Sequence, residues 1–361
     1  MSHYEERLEN DLNRIREHLT AMGSQVQEAT KNAVHALLAD NTKLAYATVL
    51  GDHPINRASR ALDKLCHGFI ALHLPSAGHL RVISATIRTN IALERIGDYA
   101  VTMCREAVQL SSPPQGTLAR EVELMSEESR RMLDQALQAF DEGNADKAKA
   151  TMVMAEQVER TFDTVFSDLV AERKDLDLKE LFGYLVIFNM IERISDQAKN
   201  ICEETVFAVT GETKAAKTYR VLFLDEDNTC LGPMAEALAR KTFPLSGQYA
   251  SAGRQAGSKL DDNLTAFLNE RGVSLEGLEP TTLDLTPEEF PDYHVIVSLQ
   301  GPVGNYIEAI PFHTTVLEWD VGAQPPAADS AQATQRYEEI YRDLAVQIRD
   351  LMTTLRGEGA S

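Results

Sequence analysis

Two pairs of acidic residues could do chemistry, because they share one spacing and one sequence setting. Glu94 and Asp98 are four residues apart, and Glu192 and Asp196 repeat that spacing 98 residues further along the chain. Both pairs belong to a Glu-Arg-Ile-x-Asp segment, so the repeat includes more than the carboxylates. On a helix, residues four apart lie on the same face, which would bring the two carboxylates of each pair together.

Two carboxylates on one helix face allow two interpretations. Like charges at this spacing destabilise a helix by a few tenths of a kcal/mol, so the pattern requires compensation. In one interpretation the neighbouring Arg95 and Arg193 compensate a solvated acidic face. In the other, each pair supplies oxygen ligands to a hard cation. On the residues alone both interpretations remain open.

The acidic pairs lie in a region that is predicted to be helical from the N-terminus to about Thr210. Apolar residues recur there at intervals of three and four, as in Leu8, Leu12 and Ile15. Because the acidic segment occurs twice, we expect two similar helical bundles related by pseudo-symmetry. Sparse glycines and prolines predict breaks that divide the region into about six helices. The predicted breaks fall at Gly51/Pro54, Pro75/Gly78, residues 111–116 and Gly143-Asn144.

Both acidic segments resemble the signatures of a known family. ALERIGDYA at residues 92–100 and IERISDQAKNICEETVFAVTGE at 191–212 are similar to the two Glu/Asp-x-x-x-Asp motifs of the PhoU family of phosphate-uptake regulators. The resemblance covers nearly all of residues 1–212, with repeats at about 1–112 and 116–212. It implies an all-α N-terminal domain made of two pseudo-symmetric three-helix bundles.

The resemblance also implies a function and a set of ligands. Multinuclear iron or zinc clusters are expected at the acidic motifs, with Glu94, Asp98, Glu192 and Asp196 as metal ligands. These four residues are too few to saturate a multinuclear cluster. The implied role is regulation of phosphate uptake and of phosphate-starvation signalling. The implied partners are a phosphate-sensing histidine kinase and components of a phosphate transporter, and the sequence leaves a homodimer open.

From Tyr219 onward the pattern changes from periodic helix to strands that alternate with helices. This alternation predicts an α/β domain with a parallel sheet over residues 219–356. The polar residues 213–218 between the two patterns are the predicted linker. The strand candidates are residues 219–224, 248–251, 294–298 and 314–319, and helices are expected at 233–241 and 336–355.

The start of this second domain resembles the low-molecular-weight protein tyrosine phosphatases and their arsenate reductase relatives. VLFLDEDNTCLGPMAEA at residues 221–237 is similar to the family's strand, its Cys-x5-Arg-Ser/Thr loop and the PMAEA helix, and the Ser-Ala-Gly sequence at 251–253 matches the next landmark. In that family a cysteine thiolate attacks a phosphate held by backbone N–H groups and the arginine. Here Asp225 stands at the nucleophile position, Leu231 at the arginine position and Gly232 at the Ser/Thr position.

The resemblance therefore predicts a phosphatase-like domain without catalytic activity. The general-acid Asp-Pro of the family is missing as well, because Gln324 precedes the prolines at 325 and 326. We also expect the loop to repel phosphate, since its carboxylates would face a dianion. The degenerate phosphate loop consists of Asp225, Glu226, Asp227, Asn228, Thr229, Cys230, Leu231 and Gly232.

One alternative assigns an enzymatic role to the same loop. Asp225 and Asp227 also fit the hydrophobic-Asp-x-Asp-x-Thr motif of metal-dependent phosphohydrolases related to haloacid dehalogenases. In that family the first aspartate is the nucleophile, the second is the acid/base and Mg²⁺ neutralises their charge. However, that family needs a lysine later in the chain, and no lysine follows Lys259.

Composition limits the remaining function classes. The chain has 361 residues and a formal net charge of -20, which disfavours binding to nucleic acid and to anionic lipid. No apolar signal-peptide core is present and the longest apolar run is too short to span a bilayer. The cysteines Cys66, Cys104, Cys202 and Cys230 follow no zinc-ligand spacing. We therefore expect a reduced, cytoplasmic protein without membrane insertion, and the resemblance to the PhoU family implies that it acts by protein–protein contact.

Overall fold

The chain divides into two compact units, Met1–Lys214 and Ala215–Ser361. The predicted linker at 213–218 spans this division, and its residues 214–216 lie outside the described part of the chain. The structure is a computed structural model. It describes residues 3–155, 157–162, 165, 177–213, 217–283, 293–308, 310, 314–325 and 331–357.

The first unit is all-α, as predicted, and consists of two three-helix bundles. The first bundle contains α1–α3; the second contains α4, α5 together with helical residues 157–162, and α6. The helices are α1 (His3–Leu38), α2 (Thr42–His73), α3 (Ala77–Ala107), α4 (Gly116–Glu142), α5 (Ala145–Met152) and α6 (Leu178–Thr210).

The pseudo-symmetry of the bundles extends to the connection between the first and second helices of each bundle. In the second bundle, Gly143 ends α4 with φ of 60°, and the Asn144 side chain accepts a hydrogen bond from the N–H of Lys147. In the first bundle Asp40 has φ of 50°, and the Asn41 side chain accepts from the N–H of Leu44. The break at Gly143-Asn144 was predicted from its glycine. The matching break was not, because aspartate takes the left-handed conformation there.

The prediction of a helix break at Gly51/Pro54 is wrong, because α2 runs without interruption through Pro54. Proline cannot donate the hydrogen bond that the carbonyl of Leu50 would otherwise accept. Leu50 is 66% exposed, so water can hydrate that carbonyl and the helix tolerates the loss. The breaks predicted at Pro75/Gly78 and at residues 111–116 are confirmed.

Helices α3 and α6, which carry the acidic motifs, pack against each other in opposite directions. Near the start of α3, the Nε of Arg88 lies 2.6 Å from a carboxylate oxygen of Glu204, near the end of α6. At the other end, the N–H of Ser111 donates to Oε1 of Glu180 at 3.3 Å. The residues buried in and around this contact are large and apolar. They include Leu93, Ile96 and Met103 of α3 and Phe188, Ile191 and Ile201 of α6.

The second unit contains a parallel four-stranded sheet in the order β2-β1-β3-β4, which confirms the predicted α/β class. The strands are β1 (Tyr219–Asp225), β2 (Gly247–Gly253), β3 (Val295–Ser298) and β4 (Thr315–Glu318). The helices are α7 (Leu231–Thr242), α8 (Asp262–Glu270) and α9 (Ala331–Arg356). Strand β1 is central and ends at Asp225, so the degenerate phosphate loop connects the middle of the sheet to the start of α7. Across the described residues of both units, we find no helix with the length and apolar character needed to cross a membrane.

Candidate functional site

The first acidic pair gains a third carboxylate from the neighbouring helix. Glu94 is half-buried and Asp98 is exposed on one face of α3, and Asp52 of α2 lies beside them. Its Oδ1 is 3.6 Å from the position that a Cβ on Gly97 would take, between the two acidic residues. The Oδ2 of Asp52 accepts from Nδ2 of Asn56 at 2.5 Å, whereas Oδ1 is buried without a hydrogen-bond partner in the described structure. Asp52, Glu94 and Asp98 are called the first acidic cluster below.

The carboxylates of the first acidic cluster repel one another. Burial raises the pKa of Glu94 above its ordinary value, and the charges of Asp98 and Asp52 raise it further, while Arg95 opposes the shift. Burial and Asp52 also raise the pKa of Asp98, and here Arg105 opposes the shift. Burial is thus the larger cause of both shifts and carboxylate repulsion adds to it, and a bound cation would relieve that repulsion.

The second acidic pair has the same arrangement in the second bundle. Glu192 is half-buried and Asp196 is exposed, as in the first pair, and Glu159 from helical residues 157–162 is the additional carboxylate. Burial raises the pKa of Glu192 to about 7, with further contributions from Asp196 and Glu159 and opposition from Arg193. Glu159, Glu192 and Asp196 form the second acidic cluster. Each predicted pair thus has its carboxylates together, with one added partner from its own bundle.

Carboxylates are suitable metal ligands, but the side chains of each acidic cluster are not close enough together in this structure to share one ion. Among the described residues, no three His, Cys, Asp or Glu side chains stand close enough together to hold a metal ion. Carboxylate oxygens are ligands for hard cations and for iron or zinc, and the buried Oδ1 of Asp52 has no competing hydrogen bond. Asp98 and Asp196 are exposed, so they can rotate without repacking the core.

Sequence reasoning missed Asp52 and Glu159. Asp52 stands in the Gly-Asp-His-Pro sequence that was interpreted as a helix break. Glu159 follows the capping residue Asn144. In the first bundle, the residue at the same distance after the capping residue Asn41 is not acidic. The usable signal was an acidic residue on the helix before each motif, which becomes informative only once the helix pairing is known.

In the second unit, the degenerate phosphate loop folds around its own first residue. Asp225 is fully buried, and its Oδ1 accepts the N–H of Asn228 at 3.0 Å while its Oδ2 accepts the N–H of Gly232 at 2.8 Å. Asn228 is also fully buried, with φ of 52°. A Cβ on Gly232 would stand 2.9 Å from Oδ1 of Asp225, so glycine permits this approach of α7. Burial raises the pKa of Asp225 to about 6, and the hydrogen bonds from Gly232 and Asn228 limit the rise.

The other loop residues are also bonded within the domain. The Oδ1 of Asp227 accepts from the N–H and the hydroxyl of Thr229, and from Nε2 of Gln324 at 2.7 Å. Glu226 is exposed and lies 3.7 Å from Nε of Arg254. Cys230 and Leu231 are buried in the core.

The loop also contains a cysteine, Cys230. Its side chain is buried, and burial together with the charges of Asp261 and Asp225 raises the pKa of its thiol far above the ordinary value. Burial and these charges disfavour the thiolate, which is the reactive form of a cysteine.

Comparison with known proteins agrees with the helical fold and the repeated acidic motifs. The family profile described as the PhoU domain matches residues 19–107 and 122–205. A Pseudomonas putida protein described as a phosphate-specific transport system accessory protein PhoU homolog is 31% identical over 214 residues, which is 58% of this chain and 83% of that protein. The chain belongs to the PhoU family. The crystal structure of PhoU from Pseudomonas aeruginosa matches with a TM-score of 0.54 and 31% identity, over 56% of this chain and 99% of that chain.

The PhoU domain is followed by a domain of a second family. Residues 220–360 match the profile described as low molecular weight phosphotyrosine protein phosphatase. A further relative of the PhoU domain is the accessory protein PhoU of Escherichia coli K12. It is 28% identical over 204 residues, which is 56% of this chain and 85% of that protein. The chain is therefore a PhoU domain fused to a phosphatase-family domain.

Proposed function

We propose that this protein is a metal-binding regulator of phosphate uptake and phosphate-starvation signalling. It acts by contact with a phosphate-sensing histidine kinase and with phosphate transporter components. The observation that carries the proposal is membership of the PhoU family over most of the length of its relatives, whose descriptions name accessory proteins of phosphate-specific transport. The fused domain contributes contacts and no turnover.

The metal is iron or zinc, held at the two acidic clusters. Support comes from the grouping of the carboxylates, whose charges add to the effect of burial in raising the pKa of Glu94 and Glu192, and from the buried oxygen of Asp52 that has no hydrogen-bond partner in the described structure. When bound, the metal would neutralise this charge and link the two helices that supply each cluster. Asp52 and Glu159 add ligands to the four carboxylates of the motifs.

The second domain lacks phosphatase activity because no nucleophile is available in its loop. Asp225 replaces the cysteine, and its carboxylate is fully buried with both oxygens engaged by N–H groups. The same observation disfavours the alternative of an aspartate nucleophile with Mg²⁺, since such a nucleophile must reach the substrate and the metal.

Repression of a phosphate-starvation reporter tests the regulatory role. In cells lacking the chromosomal gene, the reporter should be active at high phosphate, and the wild-type chain should repress it. A variant with all four motif carboxylates changed to alanine should fail to repress. Glu123→Ala with Glu127→Ala is the matched control, because these exposed residues have the same spacing on α4. Full repression by the four-carboxylate variant, present at wild-type abundance, would contradict the role of the clusters.

Catalysis is tested separately on the purified chain. Hydrolysis of p-nitrophenyl phosphate should stay at background with and without Mg²⁺. Mg²⁺-dependent hydrolysis that Asp225→Asn abolishes would assign the domain to the aspartate-nucleophile class instead.

A further inference from the structure

The backbone donors of the degenerate phosphate loop bond to oxygens of the protein itself. Two of the donors, the N–H groups of Asn228 and Gly232, bond to the two oxygens of Asp225. The N–H of Thr229 bonds to Asp227, and the N–H of Glu226 bonds to Oε1 of Gln300 at 3.0 Å. A loop at a helix N-terminus binds an oxyanion only through free N–H groups. In this loop these four donors are already used.

A second chain segment covers the same loop. Gln324 is 97 residues away in sequence, and its Nε2 donates to Oδ1 of Asp227 at 2.7 Å. The same oxygen of Asp227 also accepts from the N–H and the hydroxyl of Thr229. The amide of Gln324 therefore bonds to an oxygen that already holds the loop together. The Asn228 side chain, which is fully buried, fixes the other side by accepting the N–H of Thr281 at 2.9 Å.

We propose that the carboxyl group of Asp225 is the built-in ligand of this loop, in place of an external oxyanion. Its carboxylate occupies the position where the loop and the start of α7 would hold an external oxyanion, and Gln324 closes the loop from outside. The loop therefore keeps a folded, occupied shape whether or not phosphate is present. This inference goes beyond the proposed lack of turnover, which rests on the missing nucleophile alone and would stand with an empty loop.

Hydrogen exchange on the full chain tests the proposal, read from peptides that span residues 225–232. In the wild type these amides should be protected, and neither phosphate nor vanadate should change their exchange. In Asp225→Ala the donors lose their acceptor, so exchange should be about tenfold faster or more. Formate supplies the deleted carboxylate and should restore protection in this variant while leaving the wild type unchanged. Asp262→Ala, which removes an exposed aspartate of the same domain, should match the wild type.

The same measurements contain the results that would overturn the proposal. Protection of the wild-type loop by phosphate would show that external oxyanions still enter. Unchanged exchange in a folded Asp225→Ala chain would show that the carboxylate does not order the loop, and failure of formate to restore protection would show that it is no ligand. If Asp225→Ala does not fold, Gln324→Ala decides. With the cover removed and Asp225 intact, phosphate should still leave the loop unchanged, and binding of phosphate there would refute the proposal.

Discussion

Replacing Asp225 with asparagine should remove part of the pH dependence of the second domain's stability. The folded state raises the pKa of Asp225 from its ordinary value of 3.8 to about 6, because the carboxyl is fully buried. A carboxyl with a raised pKa binds its proton more tightly in the folded state, so protonation stabilises the fold. Its favourable contribution is complete below pH 3.8 and is lost as the pH rises to about 6. The loss amounts to on the order of 3 kcal/mol, at 1.36 kcal/mol per pKa unit.

The single tryptophan of the chain makes this change measurable in one domain. Trp319 packs against Phe223 of β1 with ring centroids 6.0 Å apart, so its fluorescence reports unfolding of the second domain. Urea titrations of the wild type and of Asp225→Asn should be compared between pH 4 and pH 8. The asparagine variant should gain stability relative to the wild type as the pH rises, whatever the offset at low pH. Asp262→Asn is the control for loss of an exposed carboxylate.

A constant difference between the wild type and Asp225→Asn across this pH range would refute the reasoning. It would mean that the N–H groups of Gly232 and Asn228 compensate the burial of the charge completely. A difference of the opposite sign would mean that they overcompensate it. In the first case the fold would prefer neither form of the carboxyl group, and in the second it would prefer the charged carboxylate.

Three further predictions concern the helical unit and the linker. Changing Glu94 and Asp98 to alanine should reduce the metal content of the purified chain to roughly half, measured by elemental analysis, if the two clusters are equivalent; unchanged metal would contradict the assignment. Limited proteolysis should cut within residues 213–218 and release two compact fragments, whereas a protected linker and a single unfolding transition would argue for one cooperative unit. Asn41→Ala and Asn144→Ala should each destabilise the helical unit by about 1 kcal/mol in thermal or chemical denaturation, and equal stability would show that the caps are dispensable.

Much of the fold could be predicted because local patterns agree with the tertiary structure. The apolar run at residues 219–224 is β-prone, and it forms the central strand β1. The predictions failed where tertiary context changes a local preference. Pro54 removes the hydrogen bond to the carbonyl of Leu50 without ending α2, and the exposure of Leu50 lets solvent hydrate that carbonyl. Aspartate at position 40 adopts the conformation that a glycine adopts in the second bundle.

The candidate sites could be predicted only in part, for a related reason. The repeated motif identifies the pair of Glu94 and Asp98 and the pair of Glu192 and Asp196. The two residues of each pair lie on one helix, so their spacing in the sequence is enough to bring them together. Asp52 and Glu159 come from other helices, so their proximity depends on packing that periodicity does not encode. The resemblance to the phosphatase family places Asp225 where that family has a cysteine, but the hydrogen bonds to the Asp225 oxygens depend on the path of the loop.

The two acidic clusters of the helical unit and the loop around Asp225 should respond differently to removal of metal. Burial raises the pKa values of Glu94 and Glu192, the charges of neighbouring carboxylates raise them further, and a bound cation would relieve that repulsion. Asp225 is surrounded by N–H donors, which satisfy its oxygens without an ion. A chelator should therefore destabilise the helical unit, seen as a lower midpoint of helix loss by circular dichroism. It should leave the Trp319 transition unchanged, because the two N–H groups already satisfy the oxygens of Asp225. A chelator that shifted the Trp319 transition and spared the helices would assign the metal to the loop and refute this distinction.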